Sequence, residues 1–504
     1  MRFHIRTILA NLGNQCRNHW AVIVVLIIGA VLRLINLESQ VTFLGDQGRD
    51  ARIMRDIILL RDLPAIGPPT SIGQIYSGPF FYYLMAPFLL LSGLNPVGPA
   101  YGTVLLSILG LLTIYIITAK LYHKGVAFCV VLLMTTSWIN TTYSRFSWNP
   151  NPMPYFSFLT MAAYFYLHQK PQSIYRGVLF GAIAGLSLQL HYLSGFITLG
   201  LLVLHGIQLV RSKQKREIAV SFLAIAAGGI AVMSPLLLFE LKHSFLNTHN
   251  LITLFSNMAQ SEGGPSYFSE LSTTITQAVF YVTQTKLSPL IAHLLFWGVL
   301  ILAGIKAGRS KSLFLGVNVW LTILFFLLFA LLDSPRHPHY YGAIYPSLYI
   351  LLASILPWNK KCYRCKLVIG IISLFLIIQN LRAAQPLLVP GGNQIRVAQE
   401  TAKSIGDHII KSPYQITTIP KTETDDHYRY YLENWYPQYT LMGPFETDQP
   451  EELFVLCFDT DCAKVQDDNQ WAIASFVDKK KVNEFKAGRA TVYQFQHDRD
   501  KMNE

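Results

Sequence analysis

The sequence predicts an all-α polytopic membrane domain of about eleven transmembrane helices, residues 1–381, followed by a small extracytoplasmic α/β domain, residues 382–504. Three observations predict it. Of 504 residues, 52% are hydrophobic and only 14% charged, against roughly 25% charged in soluble domains. Apolar runs of about 17 to 23 residues recur through the first three quarters, each long enough to cross about 30 Å of hydrocarbon as a helix. From about Arg382 those runs stop, and helix-like and strand-like stretches alternate.

The runs fall at 20–37, 100–119, 126–142, 153–168, 178–193, 196–210, 219–238, 287–304, 313–332, 341–357 and 367–381. The first resembles a secretory signal but lacks a small-residue cleavage site near Glu38, and is read as an uncleaved span. The segment PFFYYLMAPFLLLSG, 79–93, is apolar but short for a crossing. Charge decides its status. With 79–93 not crossing, the cytoplasmic pieces hold eighteen Lys and Arg against the single acid Glu217. If it crossed, fifteen of those eighteen would lie outside, against the positive-inside tendency. The segment is therefore re-entrant or interfacial, the N-terminus cytoplasmic and the C-terminal domain extracytoplasmic, in a cytoplasmic (inner) membrane. The net charge of +12 then sets orientation and does not imply nucleic acid.

In the tail, QIRVAQETAKSIGDHII has helical periodicity, while YQITTI, LFVLCF and ATVYQFQ are short and β-rich. Cys362 and Cys365 form a CxxC without a second ligand pair, which favours reduced thiols over a metal site. Cys457 and Cys462 are left open between bridged and free.

The expected outer loops mix acids, histidines, arginines and aromatics. The first, 38–99, opens TFLGDQGRD, with Asp46 and Asp50 one helical turn apart. Such carboxylates act as a base toward a hydroxyl or hold a divalent cation; the alternative is that Asp46 caps the helix and Asp50 pairs with Arg49 or Arg52. Asp46, beside two glycines, is the catalytic candidate; Asp50, Asp56 and Asp62 read as parts of an amphipathic helix. The second loop, YSRFSWNPNP, offers Arg145, Trp148 and Asn149, with an arginine fork suited to phosphate or to snorkelling. LQLHYLSG adds His191 and Tyr192, whose polarity at membrane depth invites a functional reading as much as a hydrogen-bonded one. ELKHSFLNTHN adds Glu240, Lys242 and His243, either a site or an ion pair at a wet helix end. LLDSPRHPHYYG adds Asp333, Arg336, His337, His339 and Tyr340, better suited to an anionic headgroup than to zinc. Such a site fits a substrate with an apolar tail, an anionic link and a polar head.

GDQGRD, GPFFYYLMAPFLLLSG, YSRFSWNPN, LQLHY and HPHYY before Pro346, as an ordered set, resemble the GT-C glycosyltransferases, in the branch of aminoarabinose lipid A transferases and protein O-mannosyltransferases. The resemblance spans the membrane part. It implies inverting transfer of a sugar from a polyprenyl-phosphate donor to a lipid, glycan or protein acceptor, with Asp46 as base. Donor contacts would then come from Arg49, Arg145, Asn149, His191, Tyr192, Glu240, Lys242, His243, Arg336, His337, His339 and Tyr340. No cofactor is required by that chemistry, a divalent cation at Asp46 and Asp50 being the one option. Here Gln47 stands where relatives often have a second acid, and Ser77 and Gly78 stand in a stretch where lipid A transferases carry a lysine. The alternatives are a lipid-linked-glycan transporter or flippase, and an oligosaccharide ligase. The first would place charge at span centres, and the second a WWDxG-like motif, for which the tail offers YRYYLENWYP.

Overall fold

The structure, a computed structural model, describes residues 19–70, 74–212, 215–260, 266–332, 334–358, 363–444, 446–458, 462 and 465–498. Asp333 and Cys362 lie outside them. The first half runs α1 (His19–Leu34), α2 (Leu37–Gln40), α3 (Gly45–Ile58), α4 (Phe80–Leu91), α5 (Val97–Leu121), α6 (Lys124–Thr136), α7 (Trp138–Thr142), α8 (Met153–His168), α9 (Ile174–Leu190), α10 (Ser194–Val210) and α11 (Lys215–Lys242). Then follow α12 (Leu246–Gln260), α13 (Tyr267–Thr283), α14 (Pro289–Ser310), α15 (Leu313–Phe329), α16 (Tyr345–Ile355), α17 (Tyr363–Ala383) and α18 (Gln394–Gly406). The last part interleaves β1 (Tyr414–Ile419), α19 (Asp426–Trp435), β2 (Glu452–Cys457), α20 (Trp471–Ala474), β3 (Lys479–Ala487) and β4 (Ala490–His497). Two compact units result, one of residues 1–35, 64–85 and 101–389, the other of 36–63, 86–100 and 390–504.

In the first unit each of the eleven expected crossings coincides with a helix, the third broken at Ser137 between α6 and α7. Four of these, α5, α11 from Ala219, α14 and α17 from Lys366, are long and apolar enough to cross a membrane, and seven further apolar helices are shorter. Outward faces stay apolar: on α14, Leu290 is 70%, Leu294 66% and Ile301 59% exposed. Such a surface suits lipid and not water. The twelve residues of α4 rise only about 18 Å, short of a bilayer crossing. Two helices lie where the sequence reading draws only loop, α12 and α13. Their Ser, Thr, Asn and Gln content dilutes the hydropathy that marks the other spans.

The tightest helix pair here is α9 on α11, and small residues make it so. Gly177, Gly181 and Gly185 are four apart on α9; a Cβ on Gly181 would lie 1.9 Å from the Ile225 carbonyl oxygen of α11. Gly228 answers from α11, where a Cβ would meet the Val178 carbonyl at 2.0 Å.

The second unit joins the 36–63 segment to the C-terminal sheet region. Strand order is β1-β2-β4-β3, with β1 parallel to β2 and the other pairs antiparallel. The parallel pair needs a crossover, and α19 lies within it. Leu453, Val455, Phe495, Ile473 and Phe476 form a core beside the Cys457–Cys462 disulfide. The lysine-rich β3 is a strand the sequence reading did not draw.

Replacing Gly181 by Val drives a branched side chain into backbone that cannot yield, so thermal unfolding of the purified protein should show a loss of about 1–3 kcal/mol or more. An unchanged unfolding temperature would contradict the α9–α11 contact.

Candidate functional site

Three of the expected outer loops meet within the first unit. The NPNP turn is tied down by Asn149, whose Nδ2 donates to the Leu190 carbonyl at 2.9 Å, and by Asn151, whose Nδ2 donates to Phe146 at 2.8 Å. Trp148 is thereby held edge-on to His339, ring centroids 4.5 Å apart. His191 ends α9 and stands 6.0 Å from the His339 ring and 5.4 Å from Tyr340. His337 stacks on His339 at 5.7 Å and Tyr340 meets it at 4.3 Å. The result is a cluster of three imidazoles, an indole and a phenol.

Its charge differs from a cationic pocket. Burial, then His191 and His337, push His339 down to about 3. Nδ1 of His191 accepts the Leu193 N–H at 3.3 Å. A backbone N–H only donates, so the neutral ring carries its proton on Nε2 and offers a donor there. The cluster therefore offers ring faces and a neutral donor at His191 Nε2.

The two arginines expected to hold phosphate are committed within the first unit. Arg145, 4% exposed, donates to the carbonyls of Leu32 at 2.9 Å, Arg33 at 2.8 Å and Ile35 at 2.6 Å. It thus closes the C-terminal end of α1, where a cation meets the negative end of the helix dipole. Burial, then the Arg33 guanidinium, lower it to about 10, which leaves it charged at neutral pH. Arg336 pairs with Glu270 at 2.5 Å, and also donates to Thr274 Oγ1 at 2.8 Å and to Ser334. Glu270 and Thr274 belong to α13. Sequence reading missed them because that helix escaped it; their i, i+4 spacing on an amphipathic stretch was the available signal.

A second cluster of the first unit centres on Tyr76. Its carbonyl accepts from the Tyr192 hydroxyl at 2.5 Å and from Asn247 Nδ2 at 3.0 Å, while its N–H donates to Asn247 Oδ1 at 2.8 Å. Glu240 accepts the backbone N–H groups of Asn247 and Thr248 at 2.9 and 3.0 Å, so its carboxylate caps α12. Its expected partner Lys242 is exposed and forms no ion pair among the described residues. His243 stacks on Phe239 at 4.1 Å. Separately, α13, α14, α16 and α17 enclose a groove of about 580 Å³ whose lining is aliphatic and aromatic but for Thr283, Thr285 and Thr322.

In the second unit, α3 begins at Gly45 and carries Asp46 in its first turn. The glycines of GDQGRD serve packing: a Cβ on Gly48 would meet the His427 backbone nitrogen of α19 at 2.3 Å. Arg52 clamps the same helix pair through Asp426 at 2.9 Å and Glu433 at 2.5 Å. Arg49 bridges Asp46 at 3.0 Å and Asp50 at 2.8 Å. The two carboxylates are unequal, Asp50 being 2% and Asp46 51% exposed at the side chain. A divalent cation there would have to displace the guanidinium, and no trio of His, Cys, Asp or Glu is grouped for a metal among the described residues.

Comparisons with known proteins bear on this arrangement. Residues 76–239 match the family described as dolichyl-phosphate-mannose-protein mannosyltransferase. ArnT from Cupriavidus metallidurans in the apo state is similar with a TM-score of 0.59 at 12% identity, over 95% of this chain and 98% of that one. The chain has the GT-C glycosyltransferase fold. The structure of that ArnT bound to undecaprenyl phosphate is similar to this GT-C chain with a TM-score of 0.56 at 12% identity, over 94% and 98% of the two chains. The Archaeoglobus fulgidus oligosaccharyltransferase, in complex with zinc and sulfate, gives 0.50 at 12% identity, over 94% of this chain and 72% of that one. No curated protein sequence matches it. Like the GT-C proteins it resembles, it is a multi-pass membrane protein.

The unfolded chain binds a proton at His339 near 6.5, the folded chain only near 3. The contribution of the neutral ring to stability is therefore complete above about pH 6.5 and lost as pH falls toward 3. Unfolding temperature measured against pH should fall below 6.5, and His339→Gln should remove part of that fall. An identical profile for the variant would contradict the buried neutral imidazole.

Proposed function

We propose that this protein is a membrane glycosyltransferase that moves a sugar from a polyprenyl-phosphate donor to an acceptor at the outer face of the cytoplasmic membrane, with inversion. The observation that carries the reading is the likeness to ArnT over nearly the whole of both chains, since that protein is known with undecaprenyl phosphate bound. The apolar groove of about 580 Å³ supports it, being suited to an isoprenoid tail. The side of the membrane rests on the eighteen Lys and Arg gathered in one set of loops.

In the reaction the acceptor hydroxyl oxygen bonds to the anomeric carbon while the bond from that carbon to the phosphate oxygen breaks. The lipid phosphate leaves with the bonding electrons, and the hydroxyl proton passes to Asp46. Asp46 suits a base better than Asp50: it is half exposed at the start of a helix, whereas Asp50 is buried against Arg49. The leaving phosphate needs positive charge. With Arg145 held by three carbonyls and Arg336 by Glu270, Lys242 is the candidate whose charge is uncommitted. Nε2–H of His191 supplies a neutral donor to the sugar or phosphate.

The test is transfer from a polyprenyl-phosphate sugar to membrane acceptors. Asp46→Asn should lower kcat by about 10²–10⁴-fold, and activity at the wild-type level would remove Asp46 as base. Lys242→Ala should lower kcat/KM about 10- to 100-fold through the donor, the worth of a hydrogen bond to a charged group. An absence of transfer by wild type from any such donor would sink the enzyme reading.

A further inference from the structure

Away from the aromatic cluster, a cavity of about 580 Å³ lies in the first unit where α5 gives way to α6, lined also by Pro357 and Trp358 after α16 and by Lys366 and Ile369 of α17. Such a volume falls within the roughly 300–1,000 Å³ of small-ligand sites. Its walls are held. Trp358 donates its Nε1–H to the Ala353 carbonyl at 2.7 Å, and its ring lies 5.8 Å from that of His123. Gly125 permits this, since a Cβ there would meet the indole at 2.6 Å. His123 caps α6, its Nδ1 accepting the N–H groups of Gly125 at 3.1 Å and Val126 at 3.4 Å. With Nδ1 accepting, the neutral ring keeps its proton on Nε2.

Charge in the cavity has one sign. Lys124, at the start of α6, and Lys366, on α17, both line it, and neither forms an ion pair among the described residues. Among the described residues no Asp or Glu lines it. The positive end of the thirteen-residue α6 dipole lies at the same place. Ammonium groups, a helix N-terminus and an indole are the means by which proteins hold phosphate at a membrane interface. The lining continues into apolar residues, Ala119 on α5 and Ile369 on α17. Beyond them Ile116 is 52% exposed on the flank of α5 and Leu367 52% on that of α17. A lone phosphate ion has no use for those flanks, whereas acyl chains do.

We propose that this cavity binds the headgroup of an anionic glycerophospholipid, its phosphate between Lys124 and Lys366, its glycerol against Trp358 and its acyl chains along α5 and α17. Lysines snorkelling singly would serve any headgroup alike. A walled cavity selects the negatively charged ones.

The full-length protein in detergent, titrated separately with phosphatidylglycerol, phosphatidylcholine and inorganic phosphate, provides the test. Phosphatidylglycerol should raise the unfolding temperature and remain bound in native mass spectrometry, while the other two should not. Lys124→Ala with Lys366→Ala should weaken phosphatidylglycerol binding at least tenfold, and Lys124→Arg with Lys366→Arg should keep it. Should the double alanine variant fail to fold, Lys366→Gln alone, at an exposed position, gives the same comparison. Equal binding of phosphatidylcholine, or unchanged binding by the alanine or glutamine variant, overturns the proposal. An equal shift with inorganic phosphate overturns the lipid assignment.

Discussion

Within hydrocarbon a backbone carbonyl or a charged side chain has no water to turn to, so polar groups of the first unit that lie there gain by finding partners in the protein. That constraint organises much of what the loops contain. The end of α1 exposes carbonyls, and Arg145 reaches across from the second loop to cover three of them. The start of α12 exposes N–H groups, and Glu240 covers two. Arg336 finds Glu270 on α13. Charges that look like ligands for a substrate are thus the fixtures by which the helices are joined.

The consequence for chemistry is a division of labour. Several groups with fixed charge hold the frame, while burial keeps His339 uncharged. The His191 ring beside it accepts the Leu193 N–H at Nδ1 and keeps a donor at Nε2. The carboxylates of α3, in the second unit, differ in a similar way: Arg49 pairs with both, Asp50 buried and Asp46 with half its side chain in the open.

Much of the fold could be read from composition and periodicity. All eleven expected crossings meet a helix, and α18, β1, β2 and β4 arise where periodicity placed them. The expectation of a GT-C fold is met by the likeness to ArnT. Missed elements share one cause, polarity on an element whose partner was invisible. The Thr and Glu residues of α13 face Arg336, and the lysines of β3 ride on the ladder with β4. The disulfide between Cys457 and Cys462, left open by spacing alone, closes beside the packed core of the second unit.

For the candidate site the sequence named most of the residues that meet but not the partners that hold several of them. It determined the membrane character, the placing of spans and the gathering of His, Trp and Tyr in loops, because burial in lipid and helical period are properties of neighbouring residues along the chain. Only tertiary structure decided that Arg145, Glu240 and Arg336 are held by protein partners, that GDQGRD owes Gly48 to its contact with His427, and that His339 is neutral. Each of those depends on a partner tens or hundreds of residues away, and a residue's charge and role are settled by the atoms that surround it.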